Sequence, residues 1–162
     1  MASSPPFHLH ECVRAEAILC QLEAGDKEDA IGQLIDALVL AKTLTKPKAA
    51  KVRAEVLERE AQASTGIGRG VGIPHAKSEQ VKGVLLAIGR IPGGIDFGAV
   101  DGERVRIVLL LVSPASDNDA HLAAMRKIVG IVRDSYQCKR LLGCTTPESF
   151  LGLLKELDGP RK

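Results

Sequence analysis

"VRIVLLLV", Val105 to Val112, is the stretch on which the fold turns. It has the length of a strand and falls far short of a membrane span. Apolar side chains occupy both faces of the extended chain, so the stretch is expected at the centre of a sheet covered by helices. Upstream of it, "VLLAIGRI" (84–91) reads as another strand bounded by glycines, with "PGGIDFGAVDGE" (92–103) as the intervening loop. "VGIPH" (71–75) reads as a short strand ending at proline, and "AILCQL" (17–22) as an edge strand.

Helical patterns surround these strands. In "GDKEDAIGQLIDALVLAKTL" (25–44), Asp26 is a candidate N-cap and acidic residues fill the first turn. Ile31, Leu34, Ile35 and Leu38 recur at helical spacing, and Lys42 suits a helix C-terminus. A second helix is expected over 45–64, with Thr45 and Pro47 at its start and Val52, Val56 and Leu57 as its buried stripe. After the central strand, cap candidates Asp117, Asn118 and Asp119 precede a stripe of Leu122, Met125, Ile128, Val129 and Val132. "SYQCKRLLGC" (135–144) predicts a short helix, and Thr146-Pro147-Glu148 opens a last one. Helices flanking a small sheet give a three-layer α/β domain over residues 17–162, preceded by a flexible lead-in over 1–16.

Composition excludes several functions. Aromatic residues are only 2% of the 162, with no tryptophan, so a nucleic-acid surface built on base stacking is not expected. The 22 basic and 20 acidic residues are interspersed, which gives no basic block for a polyanion. Cys12, Cys20, Cys138 and Cys144 form no C-x-x-C pair, and the N-terminus lacks a secretory pattern. A cytoplasmic protein with reduced thiols and no membrane insertion is therefore expected.

Candidate chemistry centres on "GIGRGVGIPHAK" (66–77). Gly66, Gly68 and Gly70 match neither a P-loop nor a dinucleotide fingerprint, and read as a turn needing unusual backbone angles. His75 sits behind a proline at a strand's end, which suits either a satisfied surface histidine or a catalytic one. His121 falls in the first turn of a helix, whose dipole disfavours the imidazolium and whose free N–H groups suit a phosphate; a mere helix-start histidine fits equally. His8, His10, Cys12 and Cys20 match no zinc spacing and read as part of a tail. Asp96, Asp101 and Glu103 flank glycine-rich turns and read as turn formers.

Taken together, "REAQASTGIGRGVGIPHAK", "GIDFGAVDGERVRIVLLLVSP" and "DAHLAAMRKIVGIVRD" resemble the type-2 EIIA domains of the phosphotransferase system, in its fructose, mannitol and nitrogen-regulatory branches. "LEAGDKEDAIGQL" and "CKRLLGCTTPESFLGLL" extend the resemblance from about Ala17 to Leu157. It implies a three-layer α/β/α sandwich around a small mixed sheet. It also implies that His75 is phosphorylated by a histidine phosphocarrier protein and hands the group to an EIIB domain or uses it as a regulatory mark. His121 would face His75 and hydrogen-bond the phosphate, and Arg59 would stabilise the phosphoryl charge.

These roles agree with elementary chemistry. A neutral imidazole offers one ring nitrogen as nucleophile, and donors or cations nearby stabilise the dispersed charge of a transferring phosphoryl group. No metal or cofactor is expected, because the donor is already a phosphohistidine. A chain with no fused EIIB, EIIC or carrier domain leans toward the stand-alone regulators. The alternatives are a non-catalytic interaction module of the same fold and, less well supported by the spacing, a metal enzyme built on His75 and His121.

Overall fold

The computed structural model describes residues 7–159. The chain runs through β1 (Ile18–Leu19), α1 (Lys27–Leu40), α2 (Lys46–Gln62), β2 (Gly66–Gly68), β3 (Val71–Gly72), β4 (His75–Ser78), β5 (Leu85–Ile95), β6 (Val105–Pro114), α3 (Asn118–Arg133), α4 (Ser135–Leu142) and α5 (Pro147–Asp158). The strands form one mixed sheet in the order β1-β5-β6-β3-β2, with β4 also paired to β6. β6 is central, as its two-faced apolar pattern predicts: it runs antiparallel to β5 and parallel to β3 and β4.

Alternation along β6 sorts the core into two halves. Val108, Leu110 and Val112 join Ile31, Leu34, Val52 and Val56 from α1 and α2. Ile107, Leu109 and Leu111 join Ile128, Phe150 and Leu154 from α3 and α5. The sheet thus lies between two helical layers, each burying one face.

The caps follow the sequence signals closely. Asp26 accepts from the Asp29 N–H at 2.8 Å and Asp117 from the Ala120 N–H at 3.0 Å. Thr146 forms a reciprocal capping box with Ser149 rather than with Glu148. The end of α1 is unusual. Lys42 lies past the helix with φ 61°, while the Thr43 N–H reaches the Leu38 carbonyl at 3.1 Å and the Lys42 N–H reaches that of Val39 at 3.0 Å. This closing motif ordinarily takes glycine at the left-handed position.

Four expectations need correction. β5 runs on to Ile95 through the segment expected as a loop, because a register shift between Arg90 and Ile95 accommodates Pro92 and the left-handed Gly94. The lead-in over 1–16 lies outside the described residues up to residue 6. From Phe7 onward it packs: Leu9 and Val13 are buried, and the Leu9 and His10 N–H groups donate to the Asp158 carboxylate at 3.0 and 2.8 Å. His10 Nδ1 also meets Asp158 at 2.6 Å, so His10, read as part of a tail, belongs to a clasp on α5, with the His8 ring stacked on that of His10. On α3 the buried face runs through His121, Ala124, Ile128, Ile131 and Val132, whereas Leu122 is exposed. His121 can occupy the inward position because a buried hydroxyl on β6 satisfies its ring. On α2, Glu60 completes the buried face and Leu57 is only half-buried.

Candidate functional site

The glycine run is itself a strand and a turn. β2 pairs antiparallel with β3, and the connection Gly68-Arg69-Gly70 is left-handed throughout, with φ of 94°, 58° and 82°. Glycine is required for that geometry at two of the three positions. Gly66 is fixed for another reason: a Cβ there would meet the Ala99 backbone at 2.9 Å. Asp101 ties the turn down by accepting from the Arg69 N–H at 3.0 Å, and Asp96 accepts from Gly98, in keeping with their reading as turn formers. No phosphate cradle is needed to explain these glycines.

β3 ends before Pro74, and the chain resumes beside the same neighbour as β4, three residues further along β6. His75 therefore begins a strand instead of ending one. Pro74, lacking an N–H, marks the gap in the ladder while its carbonyl still accepts from Leu111 at 3.0 Å. Within β4 the alternation buries Ala76 and Ser78 and turns His75 and Lys77 outward.

The structure brings His75 and His121 together, their ring centroids 5.7 Å apart and inclined by 42°. His75 Nδ1 lies 2.7 Å from the Ile73 carbonyl oxygen. A carbonyl only accepts, so Nδ1 carries the proton and Nε2 presents its lone pair. His121, buried, places Nδ1 2.9 Å from the Ser113 hydroxyl. Burial lowers the pKa of both rings from 6.5; for His75 the Ile73 hydrogen bond opposes the shift and Arg59 adds to it, while for His121 the His75 ring and Lys77 add to it. Both imidazoles are held neutral near pH 7.

Arg59 stands on the face of α2 that also presents Glu55, Glu58 and Gln62, at spacings of three and four residues. These side chains, with His75, Lys77 and His121, line a cavity of about 300 Å³. Arg59 donates from Nη1 to the Ala63 carbonyl at 3.1 Å, closing the end of its own helix. Lys77 Nζ donates to Asn118 at 2.9 Å. Of this lining, Arg59, His75 and His121 were expected from the sequence and its family resemblance, whereas Lys77, the α2 carboxylates and the underlying Ser113 were not singled out. Two signals were available: Lys77 shares a strand face with His75, and Ser113 is a polar residue closing an apolar strand. Ser113 pairs in register with Lys77, which puts the hydroxyl beneath the site.

The family model described as "Phosphoenolpyruvate-dependent sugar phosphotransferase system, EIIA 2" matches residues 11–157. The chain belongs to that EIIA 2 family. It is thereby a phosphoryl-transfer component of the phosphotransferase system. This EIIA domain is 31% identical over 144 residues to a nitrogen regulatory protein of Bradyrhizobium diazoefficiens, covering 89% of this chain and 92% of that one. It is 29% identical over 148 residues to the fructose-specific EIIABC component of Bacillus subtilis; that match takes in 91% of the chain but spans only 23% of the relative's length. Among solved structures it is similar to the nitrogen regulatory protein IIA-Ntr of Neisseria meningitidis, with a TM-score of 0.81 and 26% identity over 90% of this chain and 98% of that one. Among the described residues of the EIIA domain, no helix is long and apolar enough to cross a membrane.

Proposed function

We propose that the protein is a phosphohistidine carrier in which His75 Nε2 accepts a phosphoryl group from a histidine phosphocarrier protein. The observation that carries this reading is the hydrogen bond from His75 Nδ1 to the Ile73 carbonyl, which leaves Nε2 free beside a second neutral histidine. In the transfer, the donor's N–P bond breaks as the Nε2–P bond forms. Nε2 has no proton to lose on attack, and the donor imidazole leaves as a neutral ring with a proton on its other nitrogen. His121 Nε2–H contributes a donor to the phosphoryl oxygens once Ser113 donates to its Nδ1. Arg59 and Lys77 supply positive charge at the cavity wall, Arg59 through Nε and Nη2, which its helix-closing bond leaves uncommitted.

Glu55 and Glu58 line the same cavity and offset those cations. A carrier must release its group as readily as it takes it, and a near-balanced wall keeps a phosphoryl group of about two negative charges from being trapped. The acceptor is an EIIB domain or a regulatory target protein, and the setting is the cytoplasm. The fusion of A, B and C components in the name of the Bacillus relative supports an EIIB acceptor, and the nitrogen-regulatory relative supports a regulatory one.

Incubation with phosphoenolpyruvate, enzyme I and the phosphocarrier protein tests the reading. An acid-labile mass gain of one phosphoryl group is expected for wild type and is lost in His75→Ala. Retention of the gain by His75→Ala would overturn the assignment. No gain by a folded wild type would leave the non-catalytic interaction module in its place.

A further inference from the structure

A second hollow, of about 590 Å³, opens at the other end of β6. Arg69 enters it from the β2–β3 turn, Arg104 and Arg106 from the start of β6, and Lys139 and Leu142 from α4. Arg106 and Ser113 are separated by seven positions along one strand, about 23 Å at ~3.3 Å per residue, so this hollow is distinct from the His75 cavity. We propose that it binds a small organic phosphate with at least two phosphoryl groups, a nucleoside diphosphate being the type.

Charge is the first argument. Four cationic side chains face one carboxylate in the lining, Glu103, which concentrates a larger positive excess here than the net +2 of the whole chain. The nearby Asp101 carboxylate is already engaged by the backbone N–H groups of Arg69 and Glu103, at 3.0 Å each. Cations gathered around a concave space repel one another unless an anion enters it.

Donor geometry is the second. Arg104 is held by the Gly93 and Gly94 carbonyls at 3.3 and 2.8 Å through Nε and Nη2, leaving Nη1 uncommitted. Arg69 uses only Nη1, on the Val132 and Arg133 carbonyls at 3.0 Å, leaving Nε and Nη2. Both guanidinium groups are thus fixed in place before any ligand arrives, which lowers the ordering cost of binding. The side chains of Arg106 and Lys139 make no hydrogen bond or ion pair among the described residues. Arg69 also occupies a left-handed position that glycine, asparagine or aspartate would fill with less strain, so its side chain is retained at a conformational cost.

Size and lining are the third. The hollow falls in the ordinary range for small-molecule sites, roughly 300–1,000 Å³. Its floor is part backbone and part apolar: Gly70 has no side chain to fill it, and a Cβ there would stand 3.5 Å from Leu142 and 3.6 Å from Arg106. Leu142 and the buried Cys138 give the non-phosphate part of a ligand a surface to cover.

Calorimetry and amide chemical shifts with magnesium-free ADP and with inorganic pyrophosphate test the site. Saturable binding of ADP is expected at millimolar concentrations or below, weakening as salt is added, with shift changes confined to residues 69–70, 93–94, 103–106 and 135–142. His75→Ala should bind as wild type does. The double charge reversal R106E/K139E should bind at least about tenfold more weakly, because each charge-assisted contact to phosphate is worth that much or more. Its fold is checked by retained phosphorylation of His75, and the milder Lys139→Gln, at an exposed position, should also weaken binding. Absence of saturable binding by wild type would overturn the proposal. So would undiminished binding by the Arg106 and Lys139 variants, or loss of binding in His75→Ala, which would put the anion in the phosphoryl cavity.

Discussion

Replacing Glu60 tests whether one buried carboxylate fastens the hairpin that leads into His75. Glu60 is 4% exposed and accepts three hydrogen bonds: from the Thr65 N–H at 3.1 Å, the Thr65 hydroxyl at 2.5 Å and Lys27 Nζ at 3.2 Å. Glu60→Ala leaves a backbone N–H buried without an acceptor, since Thr65 is itself 4% exposed. That costs about 1–3 kcal/mol, and the lost hydroxyl bond about 1 more. The Lys27 side chain is 23% exposed and can turn to water, so its share is about 1 kcal/mol or less. The expected loss is about 2–5 kcal/mol. For a chain of this length it lowers the melting temperature by roughly 10 °C. Glu60→Gln keeps a carbonyl oxygen for the Thr65 N–H and should lose only about 1–2 kcal/mol. Urea unfolding followed by circular dichroism measures both. A loss below about 1 kcal/mol in Glu60→Ala, or equal losses in the two variants, would refute the reasoning.

Other substitutions probe neighbouring links. Lys42→Gly should stabilise the protein by about 0.5–1 kcal/mol in the same assay, because Lys42 is left-handed, while Lys42→Ala should give no gain. Ser113→Ala removes the fully buried hydroxyl that orients His121; about 1–2 kcal/mol of stability and roughly tenfold in transfer rate should be lost, and an unchanged rate would remove Ser113 from the mechanism. Proton NMR titration should find both His75 and His121 with midpoints below 6.5. Because their folded values are depressed, the unfolded chain takes up protons first; stability is full above about 6.5 and falls as pH drops from there through the folded values. Midpoints at or above 6.5 would contradict the burial of the two rings.

Where the sequence was legible, the signal was local. The two-faced apolar pattern of 105–112 gave the centre of the sheet, and Asp26, Asp117 and Thr146 gave helix starts that the caps reproduce. The misreadings arose where a tertiary partner overrides a local pattern. Leu122 fits an apolar stripe, yet His121 takes the inward position because Ser113 waits eight residues upstream on another element. Pro92 and two glycines look like a loop, but a bulge against β6 keeps them in β5. The residues around Leu9 and His10 carry no periodicity, and the carboxylate that holds them, Asp158, lies 149 and 148 positions further along the chain. In the site, single residues of the right type were legible, whereas the hydrogen bonds that set their tautomers depend on distant backbone and are not.

The central claim concerns one atom, and phosphorus–nitrogen NMR of the phosphorylated, nitrogen-15-labelled protein addresses it directly. With Nδ1 donating to the Ile73 carbonyl, the phosphorus must couple to Nε2 of a single histidine, and that signal must be absent from His75→Ala. Phosphorus bonded to Nδ1 of His75, or to any nitrogen of His121, would contradict the account.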